Sequence, residues 1–171
     1  MLFRSVIIAE EMSKYDVRPS VGSGRIASPG ILVYGTEEQK QDYLKPILMG
    51  EAYGWQAWTE PDAGVDLAAI KTRATKDGDD FIFNGTKMFI SGLFEPEWFT
   101  VLAVTDPDAP RHANLGQFWI PANLPGITWE FQDLINNGGQ HFVYFDDVRV
   151  SRKYLIGGET QGWRVTQSGL E

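Results

Sequence analysis

The hydrophobic pattern of this 171-residue chain changes period near Ala52, so one part must be helical and another must be sheet. From there on the chain is a series of short runs rich in β-branched and aromatic residues: "YGWQAWTE", "KTRATKD", "DFIFNG", "TKMFIS", "WFTVLAVT", "LGQFWIP", "ITWEF" and "HFVYFDDVRV". Turn signals at Asp77-Gly78-Asp79, Asn84-Gly85 and Pro107-Asp108 separate them. Short strands at such spacing predict an antiparallel barrel or sandwich.

The flanks read differently. In the N-terminal stretch Ile8, Met12 and Tyr15 share a helical face, after which "SVGSGRIASPG" breaks the pattern as a loop. Thr36 and Gln39 have the spacing of a capping box at the head of "TEEQKQDYLKPILMG". Tyr43, Leu44, Ile47 and Leu48 supply the apolar side of that helix, with Pro46 near its end and Gly50 stopping it. After Ser151 a Gly-rich turn leads into a further helix through Trp163, Val165 and Thr166, and the chain ends within it. The predicted class is therefore α+β, with an antiparallel β-barrel or sandwich in the middle and partial α-helical segments on both sides.

Several functions are disfavoured. A net charge of -8 argues against a nucleic-acid backbone binder. The chain has no cysteine, hence no disulfide, thiolate zinc site or Cys nucleophile. His112 and His141 are its two histidines and do not stand at ligand spacing, which leaves little material for a metal site or a Ser-His-Asp triad. "GSGRIA" matches a dinucleotide fingerprint but follows Pro19 and precedes Ser28-Pro29-Gly30, so a loop is the better reading. Asn84-Gly85-Thr86 has the form of a glycosylation sequon and reads as a turn; Asp146-Asp147 reads as turn-capping at a strand end. The opening lacks the marks of a signal peptide and no run reaches the 18 or so apolar residues of a membrane span, which suits a cytoplasmic protein.

The stretch "WTEPDAGVDLAAIKT" is the candidate for function. A plain hairpin needs only about two to five turn residues, and this loop is longer. It places a hydroxyl beside an aromatic as a strand ends, at Trp58-Thr59, and the chain does so again at Phe89-Ile90-Ser91. If those strands are neighbours, the two hydroxyls and nearby backbone N–H groups can face one planar, heteroatom-rich ligand, with Trp58 and Phe89 as apolar walls. The alternative is that these aromatics fill the barrel.

Four motifs in order then resemble the acyl-CoA dehydrogenase family: Gly35-Thr36-Glu37-Glu38-Gln39, Thr59-Glu60-Pro61, Asn84-Gly85-Thr86-Lys87 and Asp146-Asp147-Val148-Arg149-Val150. The resemblance covers nearly the whole chain and implies the end of an N-terminal α-helical domain (1–51), a flavin-binding middle β-domain (52–151) and the start of a C-terminal α-helical domain (152–171). It implies FAD as cofactor, with residues 56–65 along one side of the flavin and 89–91 along the other. The implied flavin-binding residues are Gln56, Ala57, Trp58, Thr59, Gly64, Val65, Phe89, Ile90 and Ser91. Thr59 matches a threonine facing the pyrimidine side of the ring, and Ser91 the threonine bonded to N5, the hydride acceptor. Phe89 stands where a tryptophan is usual.

The family's Gly-Ala-Gly-Ser is replaced here by Asp62-Ala63-Gly64-Val65, so the usual serine contact to acyl-CoA falls on Val65. Glu171 matches an acidic position linked to CoA binding. The family's catalytic base falls two residues after that position or much later, so none is expected in this chain. Two residues turn a helical side chain by about 200°, which points Glu171 away from a base site there. The implied reaction is α,β-desaturation of an acyl-CoA thioester with hydride passing to the flavin, reoxidation by an electron-transferring flavoprotein, and assembly as a homo- or hetero-tetramer. The 171-residue chain alone is expected to bind FAD weakly or not at all and to be inactive. A flavin oxidase or monooxygenase of the same fold, and a non-catalytic subunit or binding module, stay open.

Overall fold

The computed structural model describes residues 7, 10–15, 24–92, 94–135 and 139–170. The eight runs form seven strands, two of them merging into β3, and a short eighth strand follows: β1 (Gly54–Ala57), β2 (Arg73–Asp77), β3 (Asp80–Ser91), β4 (Trp98–Val104), β5 (Leu115–Pro121), β6 (Ile127–Asp133), β7 (Gly139–Ser151) and β8 (Leu155–Ile156). They make one sheet in the order β6-β7-β3-β2-β4-β5-β8, with β1 pairing β4 off that path. The α+β class holds, but the sheet does not close into the expected barrel. Its ends are β6, whose exposed Glu130 and Asp133 suit an open edge, and β8, only two residues long. Nor is it purely antiparallel. β1 runs parallel to β4 over 54–57 against 98–101, and β2 joins the same edge, also parallel, at Arg73 opposite Val104.

Asn84-Gly85 is not a turn. β3 runs straight through it, with a bulge between Phe83 and Gly85 against β7. A Cβ at Gly85 would sit 2.7 Å from Thr72 Cβ, so glycine lets β3 pass close to the start of β2. Asp146 and Asp147 lie inside β7 at the same bulge rather than at a strand end. Asp147, at φ 47°, donates its N–H to Asn84 Oδ1 at 3.0 Å and accepts from Asn84 Nδ2 at 2.9 Å. The amide thus satisfies backbone that the bulge removes from the ladder.

The inner face of the sheet is an aromatic core in which Trp55, Phe81, Phe83, Phe99 and Phe118 are buried. Each such side chain contributes roughly 1.5–3 kcal/mol through its removal from water.

The helical flanks pack on the opposite side of β5. Residues 24–27 and the rest of "GRIASPGILVY" form α1 (Gly24–Tyr34), so the sequence reading of this segment as a loop is overturned from Gly24 onward. Its glycine and proline mark a contact and not a break: a Cβ at Gly30 would stand 2.8 Å from Val165 Cγ1, so the missing side chain lets α1 approach the last helix. The Thr36 capping box forms as predicted, opening α2 (Glu37–Gln39). A π-helical segment, Lys40–Leu44, follows, with the Lys45 N–H reaching Lys40 O, and then α3 (Lys45–Met49). Pro46 has no N–H to continue the regular ladder, which accounts for the widened turn before it. Gly50 ends α3 at φ 73°. Tyr43 is buried as expected, but Leu48, assigned to the same apolar side, is 72% exposed. Residues 10–13 are helical; Ile8 lies outside the described residues and Tyr15 is exposed. The last helix, α4 (Gly162–Gln167), packs Val165 with Ile31, Tyr43, Trp119 and Ile156.

Candidate flavin-facing site

The chain leaves the sheet at Trp58, at the end of β1, and returns to it at Arg73. The intervening loop is held by Glu60. Its backbone pairs with Ala63 (N to O 2.9 Å, and 3.1 Å in return), closing a tight turn around Pro61 and Asp62. Its carboxylate accepts from Lys71 N at 2.5 Å and Thr72 N at 2.9 Å, drawing the two ends of the loop together. A third bond comes from Lys87 Nζ on β3, at 2.7 Å. Lys87 is fully buried and Glu60 is 5% exposed.

Burial pushes Glu60 up, but the Lys87 charge and the three hydrogen bonds outweigh it and hold the carboxyl below its ordinary value. Burial draws Lys87 down to about 8 against the pull of Glu60. At neutral pH both are charged. Sequence reasoning missed this pair. The signal was there: Lys87 follows Phe81 and Phe83 on a strand whose inward positions are apolar, and a buried lysine requires an anion.

Trp58 is buried beneath the loop with Ala63, Ile70, Leu102 and Leu115 and forms its floor. Its Nε1 is buried without a partner among the described residues. Thr59 is half-buried, and its carbonyl accepts the Met88 N–H at 2.9 Å. This bond joins Thr59 to the residue immediately before the second candidate segment. Gln56 is half-buried on β1, while Ala57 and Ile90 turn their side chains into the core and can offer a ligand only backbone. Gly64 is exposed in open space, and Val65 is fully exposed.

Phe89 is the unusual residue. A second bulge, between Lys87 and Ile90 against β7, puts it at φ 57°, a left-handed conformation rare for a bulky side chain. The result is a ring 51% exposed on a strand whose neighbour Ile90 is buried. Ser91, exposed, ends the strand opposite Gln140. Strain kept at such a position points to a use for the aimed ring.

Surrounding contacts fasten the loop further. Asp62 pairs with Lys71 Nζ at 2.8 Å, which holds the Asp62 carboxyl below its ordinary value. Arg111 pairs with Asp66, and the His112 ring stacks on Trp163 at 4.4 Å, tying residues 105–114 to both the loop and α4. His141 lies in the core, its Nδ1 3.2 Å from Ile90 O and its ring 4.0 Å from Trp55. A cavity of about 310 Å³ lies elsewhere, between α2 and the segment after β7, lined by Thr36, Gln39, Tyr43, Lys153 and Leu155. It contains none of the predicted site residues. Glu171 lies outside the described residues.

Two family models match the chain. The acyl-CoA dehydrogenase N-terminal domain covers residues 2–51, and the acyl-CoA dehydrogenase middle domain covers residues 56–150, over half the chain. The chain belongs to the acyl-CoA dehydrogenase family. Within this family it is 34% identical over 166 residues to acyl-CoA dehydrogenase FadE29 of Mycobacterium tuberculosis, covering 96% of this chain and 43% of FadE29. Among solved structures, the ChsE4-ChsE5 complex from Mycobacterium tuberculosis aligns with a TM-score of 0.87 at 28% identity, over 97% of this chain and 43% of that one. The Tcur3481-Tcur3483 steroid ACAD aligns with a TM-score of 0.82 at 34% identity, over 85% and 38%. The chain spans less than half the length of these curated relatives that it matches. Among its described residues no helix is long and apolar enough to cross a membrane, and no acidic or histidine cluster is arranged to hold a metal.

Proposed function

We propose that this chain supplies the flavin-facing part of an FAD-dependent acyl-CoA dehydrogenase that desaturates an acyl-CoA thioester between Cα and Cβ. The observation that carries the reading is the Met88 N–H to Thr59 O bond, which ties the end of 56–59 to the residue just before 89–91. The donor set fits a flavin: a half-buried Thr59, an exposed Ser91 and an exposed Phe89 ring suit a planar ligand with heteroatoms on its rim. FAD, when bound, supplies the hydride acceptor. The chain's part is to hold that ring, Phe89 against its face and the Thr59 and Ser91 hydroxyls toward its polar edge. Donors fixed beforehand stabilise negative charge without reorganising during the reaction. Val65, at the loop tip, and Glu171 are assigned to the acyl-CoA. Residues 1–51, 52–151 and 152–171 are taken as parts of three domains, in a cytoplasmic homo- or hetero-tetramer reoxidised by an electron-transferring flavoprotein.

The relative FadE29 is more than twice as long, and the proposed activity is that of a protein of such length. The 171-residue chain alone, mixed with FAD, acyl-CoAs and an artificial electron acceptor, is expected to bind FAD weakly and show no turnover. Turnover that vanishes in Glu171→Gln would place the base inside this chain.

The site residues are tested in a chimaera that continues this chain with the C-terminal length of FadE29. Ser91→Ala is expected to slow flavin reduction by acyl-CoA by about two- to tenfold, the worth of one neutral hydrogen bond, while FAD content holds. An unchanged rate would remove Ser91 from the flavin edge. In the same chimaera Val65→Ser is expected to change KM or acyl preference with FAD content unaltered, since Val65 is exposed and braces nothing. Loss of FAD with unchanged substrate kinetics would place Val65 at the cofactor instead.

A further inference from the structure

The fork in the sheet raises a question of hydrogen bonding. β1 accompanies β4 as far as Ala57 opposite Val101, and β2 rejoins that edge only at Val104. Between them Leu102 is fully buried, and its carbonyl faces the gap that Trp58 opens by leaving the sheet. A buried carbonyl needs a donor. Lys87 provides it: Nζ donates to Leu102 O at 2.7 Å, Trp58 O at 3.1 Å and Glu60 Oε1 at 2.7 Å. Three acceptors use all three ammonium donors. The next residue along β3 repeats the contact one step on, Met88 N to Thr59 O. Phe89 then takes its left-handed turn.

We infer that Lys87 is a positioning residue for the flavin edge: its ammonium stands in for the missing rung between β1 and β4, fixing Trp58 and Thr59 against the Phe89 bulge. The role toward flavin rests on the function proposed above; the role toward the chain does not. A methionine at this position has no N–H to give either carbonyl, so the segments separate where the bulge begins, even when no charge is left unpaired.

The test uses the whole 171-residue chain labelled with ¹⁵N. In the wild type the Lys87 Nζ–H group is expected to exchange slowly with water at acidic pH; exchange as fast as that of exposed Lys71 overturns the inference. In the double variant Glu60→Gln/Lys87→Met, which removes both charges, the Met88 amide is expected to exchange at least about tenfold faster while the Phe83 and Val143 amides keep their protection. Unchanged Met88 protection in the folded double variant overturns it. FAD added to the wild type is expected to shift the Thr59 and Phe89 amides, and to shift them less in the double variant. Absence of shifts in the wild type counts against the cofactor reading alone, because the exchange measurements decide the positioning role without flavin.

Discussion

Lys87→Met alone is expected to cost about 3–5 kcal/mol of stability, enough to unfold much of the chain, because it leaves the Glu60 carboxylate buried beside an apolar side chain. The bonds from Lys71 N and Thr72 N remain, but a buried anion needs a countercharge as well as donors. Glu60→Gln/Lys87→Met should recover most of that loss in urea unfolding, since replacing both members of a buried pair is far milder than removing one. A single variant as stable as the wild type would show that Lys87 is not buried as a charge.

The same pair sets a pH dependence. Lys87 is drawn from 10.5 to about 8 in the folded chain, whereas the unfolded lysine keeps its proton to the ordinary value. Between those values the unfolded state binds more protons, so the stability from this group rises with pH through that window and is lost as pH falls through about 8. Urea midpoints on either side of pH 8 should show this rise in the wild type and lose it in the double variant, other groups being common to both.

The second large effect lies at the C-terminal helix. A Cβ on Gly162 would stand 2.6 Å from Gly116 C, 2.7 Å from Leu115 O and 2.8 Å from Gln117 N. All three are backbone atoms of β5, which cannot rotate away. Gly162→Ala must therefore lift the first turn of α4 from the sheet, stretching the 2.6 Å bond from Thr166 Oγ1 to Gln117 Oε1 and opening the Gly30–Val165 contact. The expected cost is about 1–3 kcal/mol or more. Gly64→Ala, where nothing lies within 4 Å, should change stability by less than about 0.5 kcal/mol. Equal midpoints for the two variants in urea would contradict the packing described at β5.

Strand texture was legible because inward aromatics alternate with polar residues along β3 and β7, and all seven longer strands fall on runs seen in the sequence. The bulges were not. Asn84-Gly85 carries the composition of a turn, and only the close approach of Thr72 shows why glycine stands within a strand instead. Closure was over-read for a related reason: short aromatic strands look alike whether or not their end strands meet. The first helix was hidden because Gly30 and Pro29 are helix-breaking by propensity, yet Gly30 is needed for contact with Val165. At the site, the Thr59 and Phe89 segments could be named from motif and chemistry. Their junction could not, since it depends on a lysine reaching across the sheet to carbonyls distant in sequence.

The central claim is that residues 56–59 and 89–91 form one flavin-facing edge. It is tested most directly by titrating FAD into the ¹⁵N-labelled chain, because amide shifts report weak binding residue by residue. The account predicts shifts concentrated at Thr59, Phe89 and Ser91, with the cavity residues Thr36, Tyr43 and Lys153 unmoved. Shifts centred on that cavity, or none at Thr59 and Ser91 while other amides respond, would contradict it.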